Sequence, residues 1–340
     1  MSKVGLVGNN KVKDFLYQSY RQGKLGHAYL LRGPKGIGKS RLVLNFLQQL
    51  MCQQGGDSAC ASCQPCLWVE QKIHPDVWWV GLEADKQEIT IEQVRELQQF
   101  TKLGSLSGGW RAVVIEPAED MSHEAANALL KVLEEPPLRT IFFLLSHESG
   151  KLLPTINSRC FVLHCNPVSI SDIVVMLQDK GLSNEEATRV AQLASGRPAI
   201  ALDLADNPEL ENSRLAEAQI VLNLFRPGSW NEFQKTIAQI IKDGLEGDQS
   251  NWQRSLKIID IWLEVVRDLL LTNLGLVNLV HYQVLIFDLK ELSSSVSLSQ
   301  TVRVISILVE AKHKLQANAQ VRLTMEWVGA EINATILKAN

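Results

Sequence analysis

The chain has 340 residues, of which 46% are hydrophobic, enough for two or three domains with a substantial core. Its 34 Lys and Arg nearly balance 37 Asp and Glu, a formal charge of −3, which argues against a protein coated for nucleic acid. No stretch reaches the roughly 18 to 20 uninterrupted apolar residues of a membrane span, and residues 1–15 lack the apolar core of a signal peptide. A cytoplasmic protein with no membrane partner is expected.

Up to about Cys165, short apolar runs alternate with amphipathic stretches. HAYLL (27–31), VWWV (77–80), AVVI (112–115), IFFLL (141–145) and FVLH (161–164) are predicted as buried strands, and the connections between them as helices. That alternation implies a parallel sheet covered on both faces.

Directly after the first run stands GPKGIGKS, Gly33 to Ser40, which fits G-x-x-x-x-G-K-[ST]. Gly33, Gly36 and Gly38 let the loop bend and bring backbone N–H groups up to phosphate oxygens, and Pro34 stands within the same nucleotide-binding loop. The helix that follows offers its positive end to the anion. Lys39 is placed for the β- and γ-phosphates and Ser40 for magnesium.

Cys52, Cys60, Cys63 and Cys66 then crowd into one segment, whereas Cys160 and Cys165 lie far away. Four thiolates at this spacing can close a tetrahedron around zinc and leave nothing over for catalysis, so the site reads as structural. An iron–sulfur cluster or free thiols are the alternatives, and the spacing lacks the usual cluster pattern. HPD (74–76) is similar to a chaperone-stimulating loop but lacks that family's flanking helices, and it reads as a turn into VWWV. His27 is expected to make a structural hydrogen bond before the first strand.

A helix is predicted to begin at Thr90, with Gln93 completing a capping box. The apolar run VVI ends in Glu116, which can hold magnesium, and the next position is Pro117. Glu119 and Asp120 read as solvating a turn. Ser122 caps a helix whose Ala126, Leu129, Leu130 and Leu133 share a face, and Pro136 and Pro137 stop it.

The strand signal disappears between about Asn166 and Asn207. Ser183 and Glu186 form a second capping box, Ala187, Val190, Ala191 and Ala194 a stripe, and Gly196 with Pro198 the expected end. From Pro208 onward the pattern is helical. In 252–271, Ile258, Ile259, Trp262, Val265, Val266 and Leu269 form a broad apolar face. Trp252, Trp262 and Trp327 read as packing residues, and the serines of LSSSVSLSQ as a loop or helix start.

These residues carry a resemblance over essentially the whole chain. GKLGHAYLLRGPKGIGKS, the cysteine module, HPDVWWV, AANALLKVLEEPP (125–137), LLPTINSRC (152–160) and LQANAQVRLTME (315–326) occur in the order of the delta-prime subunits of bacterial DNA polymerase III. These are the non-motor members of the sliding-clamp loader's AAA+ family. The resemblance implies α/β followed by all-α: an AAA+ P-loop domain with a parallel sheet (1–165) carrying the zinc module (52–66), a small helical lid (166–207), and a helical collar (208–340) that joins a heteropentamer. It implies motor subunits (gamma/tau) and the clamp-opening delta subunit as partners, with the sliding clamp and primer–template DNA met through the assembly.

In that family Arg159 matches an arginine finger acting on ATP held by the adjacent motor subunit, and Ser146 falls at a polar sensor position for the γ-phosphate. Asn318 and Arg322 are expected in collar contacts or on a solvated helix face. Phosphoryl transfer to water needs a group that positions the water, and Pro117 cannot do so. Own ATPase activity is therefore expected to be weak or absent. An ATP-hydrolysing motor subunit is the first alternative, set against the missing second carboxylate. A zinc-bearing nucleic-acid-binding module is the second, set against a cysteine segment with no Lys or Arg.

Overall fold

A computed structural model describes residues 7–226 and 248–337 apart from 57, 84, 85, 87 and 148, together with 234 and 235. The remainder of the predicted helical stretch between 226 and 248 lies outside the described residues. The elements run α1 (Asn10–Arg21), β1 (Ala28–Arg32), α2 (Lys39–Met51), α3 (Gln64–Glu70), β2 (Val77–Val80), α4 (Ile91–Lys102), β3 (Arg111–Ile115), α5 (His123–Glu134), β4 (Thr140–Ser146), α6 (Pro154–Asn157) and β5 (Phe161–His164). Helices follow: α7 (Ile170–Asp179), α8 (Asn184–Leu193), α9 (Pro198–Asp206), α10 (Pro208–Leu224), α11 (Asp248–Asn273), α12 (Ile286–Ser295), α13 (Leu298–Gln316) and α14 (Val321–Leu337). No single described helix is long and apolar enough to cross a membrane. Two compact units result: residues 1–191 with 195–202, and residues 192–194 with 203–340.

In the first unit all five predicted strands form one parallel sheet in the order β2-β3-β4-β1-β5. Because side chains alternate along a strand, each face has its own core. Tyr29, Leu31, Val114, Phe143 and Leu145 meet α1 and α2 on one face. Ala28, Leu30, Val113, Ile115, Phe142 and Leu144 meet α4 and α5 on the other. Covering both faces explains why β1, β3 and β4 read as unbroken apolar runs. The edge strand β5 is less protected, with Phe161 54% exposed. Since the strands are parallel, the ends of β1, β3 and β4 bring Gly33, Glu116 and Ser146 to one rim, with Arg32 and Ser146 register partners.

The predicted caps form. Ser122 Oγ accepts from Ala125 N–H at 3.1 Å, Gln93 Oε1 accepts from Thr90 N–H at 2.9 Å, and Ser183 and Glu186 bond reciprocally. Pro198, expected at the end of a helix, follows α8 and also opens α9; its fixed φ and missing N–H suit the first helical position. The serine run is divided: Ser293, Ser294 and Ser295 finish α12, and Ser297 caps α13 by accepting from Gln300 N–H. His27 makes the expected structural hydrogen bond through its carbonyl, which accepts from Phe142 N–H at 2.8 Å, while its ring Nε2 is buried with no hydrogen-bond partner among the described residues.

HPD is a turn, and Asp76 makes it rigid. Its fully buried carboxylate accepts from Leu106 N–H, Ser107 N–H and the Ser105 and Ser107 hydroxyls, and lies 3.6 Å from Arg111 Nε. Hydrogen bonding of this kind holds its carboxyl below the usual range in spite of burial, which alone pushes it up.

The second unit is helical. Ile258, Ile259, Trp262, Val265, Val266 and Leu269 of α11 are all fully buried. Trp262 Nε1 donates to Glu217 O at 2.9 Å and Trp252 Nε1 to Leu315 O at 2.6 Å, so both indoles pack while their N–H groups are satisfied. Asp268, also fully buried, accepts from the N–H groups of His281 and Tyr282 and so fastens the segment before α12 to α11. Arg322 pairs with Glu326 one turn along α14, on a solvated face.

Candidate functional site

The loop between β1 and α2 has the backbone its glycines predict. Gly36 and Gly38 take φ +80° and +95°, the left-handed region that favours glycine. A Cβ at Gly33 would lie 2.3 Å from Cys165 O, so no side chain fits there. Lys39 is buried, and its Nζ donates to Gly33 O at 2.7 Å and Pro34 O at 3.0 Å, folded over the loop it serves. Burial pulls this ammonium below its ordinary range, while Cys165, Glu116 and Glu119 hold it up. Ala199 N–H donates to Gly36 O at 3.0 Å, placing the start of α9 against the loop.

Glu116 and Ser40 are 76 residues apart in sequence and meet here, with Ser40 Oγ donating to Glu116 Oε1 at 2.5 Å. A hydroxyl and a carboxylate side by side at the loop's edge suit a hard cation with oxygen ligands. Position 117 is a proline joined to Glu116 through a cis peptide bond. Ser146 is fully buried, its hydroxyl without a hydrogen-bond partner among the described residues, and its carbonyl accepts from Gly33 N–H at 3.2 Å.

Glu119 is not a solvated turn residue. The short 3-10 turn of residues 118–120 directs it inward, where Oε1 accepts from His147 N–H and contacts His147 Nδ1, both at 2.9 Å. Burial pushes its carboxyl up, but the contacts with His147 more than offset that and bring it down to about 2. Neither residue stood out in the sequence as a pair. They lie 28 positions apart, each just past a strand end, where periodicity gives no direction.

The four sulfurs of Cys52, Cys60, Cys63 and Cys66 all lie within 4.8 Å of one another, and those of Cys60 and Cys66 are 3.9 Å apart. Ligand sulfurs about 2.3 Å from a tetrahedral ion are separated by about 3.8 Å, so this donor set fits such an ion. Bonds from the Ser62 and Cys63 region draw the Cys60 thiol down to about 5, and burial pushes that of Cys66 up. Two glutamines from the last turns of α2 brace the module. Gln48 Nε2 donates to Cys66 O and Glu70 Oε2, and Gln49 Nε2 donates to Gly56 O. Buried glutamines ahead of clustered cysteines were the available sequence signal for this bracing.

Arg159 lies at the surface just after α6. Its guanidinium is held by Glu134 Oε1 at 2.5 Å and Thr155 O at 3.0 Å. It is on the same unit as the phosphate loop, and no bond joins it to Lys39, Ser40 or Glu116.

A parallel sheet with this loop after β1 and an acid at the end of β3, followed by a helical C-terminal region, defines an AAA+ P-loop-type protein. A family profile described as DNA polymerase III, delta subunit matches residues 8–169. The DNA polymerase III subunit delta' of Bacillus subtilis (strain 168) is 31% identical over 320 residues, 93% of each chain. That of Pseudomonas aeruginosa is 44% identical over 140 residues, 41% of this chain and 43% of the relative. A solved gamma subunit-related protein of Thermotoga maritima aligns over 96% of this chain and 99% of its own at 18% identity, with a TM-score of 0.47. The chain belongs to the delta-prime subunit family of DNA polymerase III.

Proposed function

We propose that this clamp-loader subunit of delta-prime type grips a nucleoside triphosphate without cleaving it at a useful rate, and supplies Arg159 to a neighbouring ATPase subunit. Gly33, Pro34, Gly36, Gly38 and Lys39 hold the phosphates, Ser40 and Glu116 take the magnesium that comes with them, and Ser146 meets the terminal phosphate. Cys52, Cys60, Cys63 and Cys66 hold a structural zinc ion, whose contribution is to fix the segment after α2 rather than to react. The domains divide at 165 and 207 into nucleotide fold, lid and collar. The partners are gamma/tau motor subunits and a delta subunit in a heteropentamer that acts on a sliding clamp at primer–template DNA.

The observation that carries this reading is the mismatch at one rim. The phosphate loop, Lys39 and the Ser40–Glu116 pair are complete, while the position after Glu116 is Pro117, which has no group to orient water. A binding pocket without its hydrolytic group acts by occupancy. Arg159 lies at the surface, held by Glu134 and Thr155; in this reading it serves a partner's phosphate, where a guanidinium stabilises transition-state charge.

The test measures ATP binding and turnover by the purified chain, then clamp loading by a reconstituted loader containing Arg159→Ala. The expected result is magnesium-dependent ATP binding, turnover near background, and loading lowered at least tenfold. Robust turnover by the chain alone, abolished by Lys39→Ala, overturns the static-pocket reading. Unchanged ATP-dependent loading by Arg159→Ala overturns the finger.

A further inference from the structure

A single peptide group ties the phosphate loop to the turn that follows Glu116. Its oxygen, the carbonyl of Ser146, accepts from Gly33 N–H at 3.2 Å. Its nitrogen, the N–H of His147, donates to Glu119 Oε1 at 2.9 Å. A peptide unit is planar and stiff, so fixing both ends fixes the Cα of Ser146, whose remaining backbone is set by its place at the end of β4. The His147 ring adds a second grip on the same carboxylate oxygen, at 2.9 Å from Nδ1. Nδ1 carries the proton in this contact because an ionised carboxylate can only accept.

The Glu119 side chain is 1% exposed, so an acid here has been brought to the rim and surrounded. Both His147 donors converge on its Oε1. The residue that this arrangement immobilises is Ser146, whose hydroxyl is enclosed and has no hydrogen-bond partner among the described residues. A buried hydroxyl of this kind is left for a ligand or water to satisfy. Glu119 also acts with Glu116 on the Lys39 ammonium, so the pair and the loop share one electrostatic neighbourhood.

We propose that Glu119 and His147 are positioning residues for discrimination between nucleoside triphosphate and diphosphate: they lock the Ser146–His147 peptide group against Gly33 and so hold the Ser146 hydroxyl where a terminal phosphate is read. The proposal rests on the reading of Gly33–Ser40 as a nucleotide site. It assigns a role to two residues that touch neither nucleotide nor metal.

Calorimetric titration of the full chain with magnesium–ATP and magnesium–ADP tests it, on the wild type, Ser146→Ala, Glu119→Ala, Glu119→Gln and the Ser146→Ala/Glu119→Ala double variant. The wild type is expected to prefer ATP. Ser146→Ala and Glu119→Ala are each expected to reduce that preference at least fivefold, and the double variant no further than the stronger single one. Glu119→Gln keeps an acceptor for His147 N–H and should recover part of the preference; it also serves if the alanine variant does not fold. Equal weakening of ATP and ADP by Glu119→Ala, or full additivity with Ser146→Ala, overturns the proposal. Wild-type binding of both nucleotides with no preference overturns it while leaving the nucleotide site intact. Binding of neither overturns both.

Discussion

Glu119 in the α/β unit and Asp268 in the helical unit are both buried carboxylates that accept main-chain N–H bonds, yet they titrate in opposite directions. Burial pushes each upward. At Glu119 the His147 contacts prevail and the value falls to about 2. At Asp268 burial prevails over the N–H groups of Tyr282 and His281 and over Arg267, with the Glu264 charge adding to it, and the value rises to about 6. Arg267 is 43% exposed, so water weakens its support. The comparison teaches that depth does not decide the state of a buried acid; the partners at close range do. The α/β unit keeps its acid charged beside a cationic loop. The helical unit uses its acid as a fastener between α11 and the residues before α12, a task a protonated group also performs.

The largest expected effect sharpens this contrast between a unit that depends on its site and one that does not. Removing zinc by chelation, or replacing Cys63 with Ser, should destabilise the α/β unit by several kcal/mol, since metal affinity of a structural site is folding free energy. Amide exchange should accelerate across α2 and α3 and stay unchanged in α11 and α13. Metal analysis showing about zero zinc per chain after gentle purification breaks the contrast.

Next in size come the carboxylates themselves, read by denaturant unfolding between about pH 2 and pH 8. Glu119 has a folded pKa below its ordinary 4.5, so its stabilisation, about 3 kcal/mol, is present above that pH and is lost as pH falls toward 2. Asp268 has a folded pKa above its ordinary 3.8, so the fold binds the proton more tightly and stability declines by about 3 kcal/mol as pH rises from about 4 to 6. Glu119→Gln should flatten the first limb and Asp268→Asn the second. Curves that shift in the same direction refute the opposition.

The smallest effect serves as a control for locality. Ser122 caps α5 in one unit and Ser297 caps α13 in the other through the same geometry. Each Ser→Ala change should cost about 1 kcal/mol, measured by thermal unfolding, because an end-of-helix N–H loses its acceptor in either setting. Unequal costs make even local terms depend on the unit.

What was legible in the residues follows the same division between local and non-local causes. VWWV and FVLH were bounded to the residue because apolar runs of that length, flanked by turn residues, have few other uses. The phosphate loop was legible because only glycine tolerates the φ values at Gly36 and Gly38. The four cysteines declared their convergence by spacing, and the sulfurs do converge. Glu119 was misread because its direction is set by a 3-10 turn and by His147, neither of which leaves a periodic trace. That Pro198 also opens α9 was not read, because a proline that follows one helix is equally suited to start the next. His27 makes the expected structural hydrogen bond, and its main chain carries it.

The helix α2 leaves the phosphate loop at Lys39 and ends at Met51, one residue before Cys52. At about 1.5 Å per residue it is a strut roughly 20 Å long, running from a cradle of main-chain amides to four converging sulfurs. With a metal ion held among those sulfurs, as proposed, the far end of the strut would be pinned, and an anion settling into the cradle would move the walls around it rather than the strut.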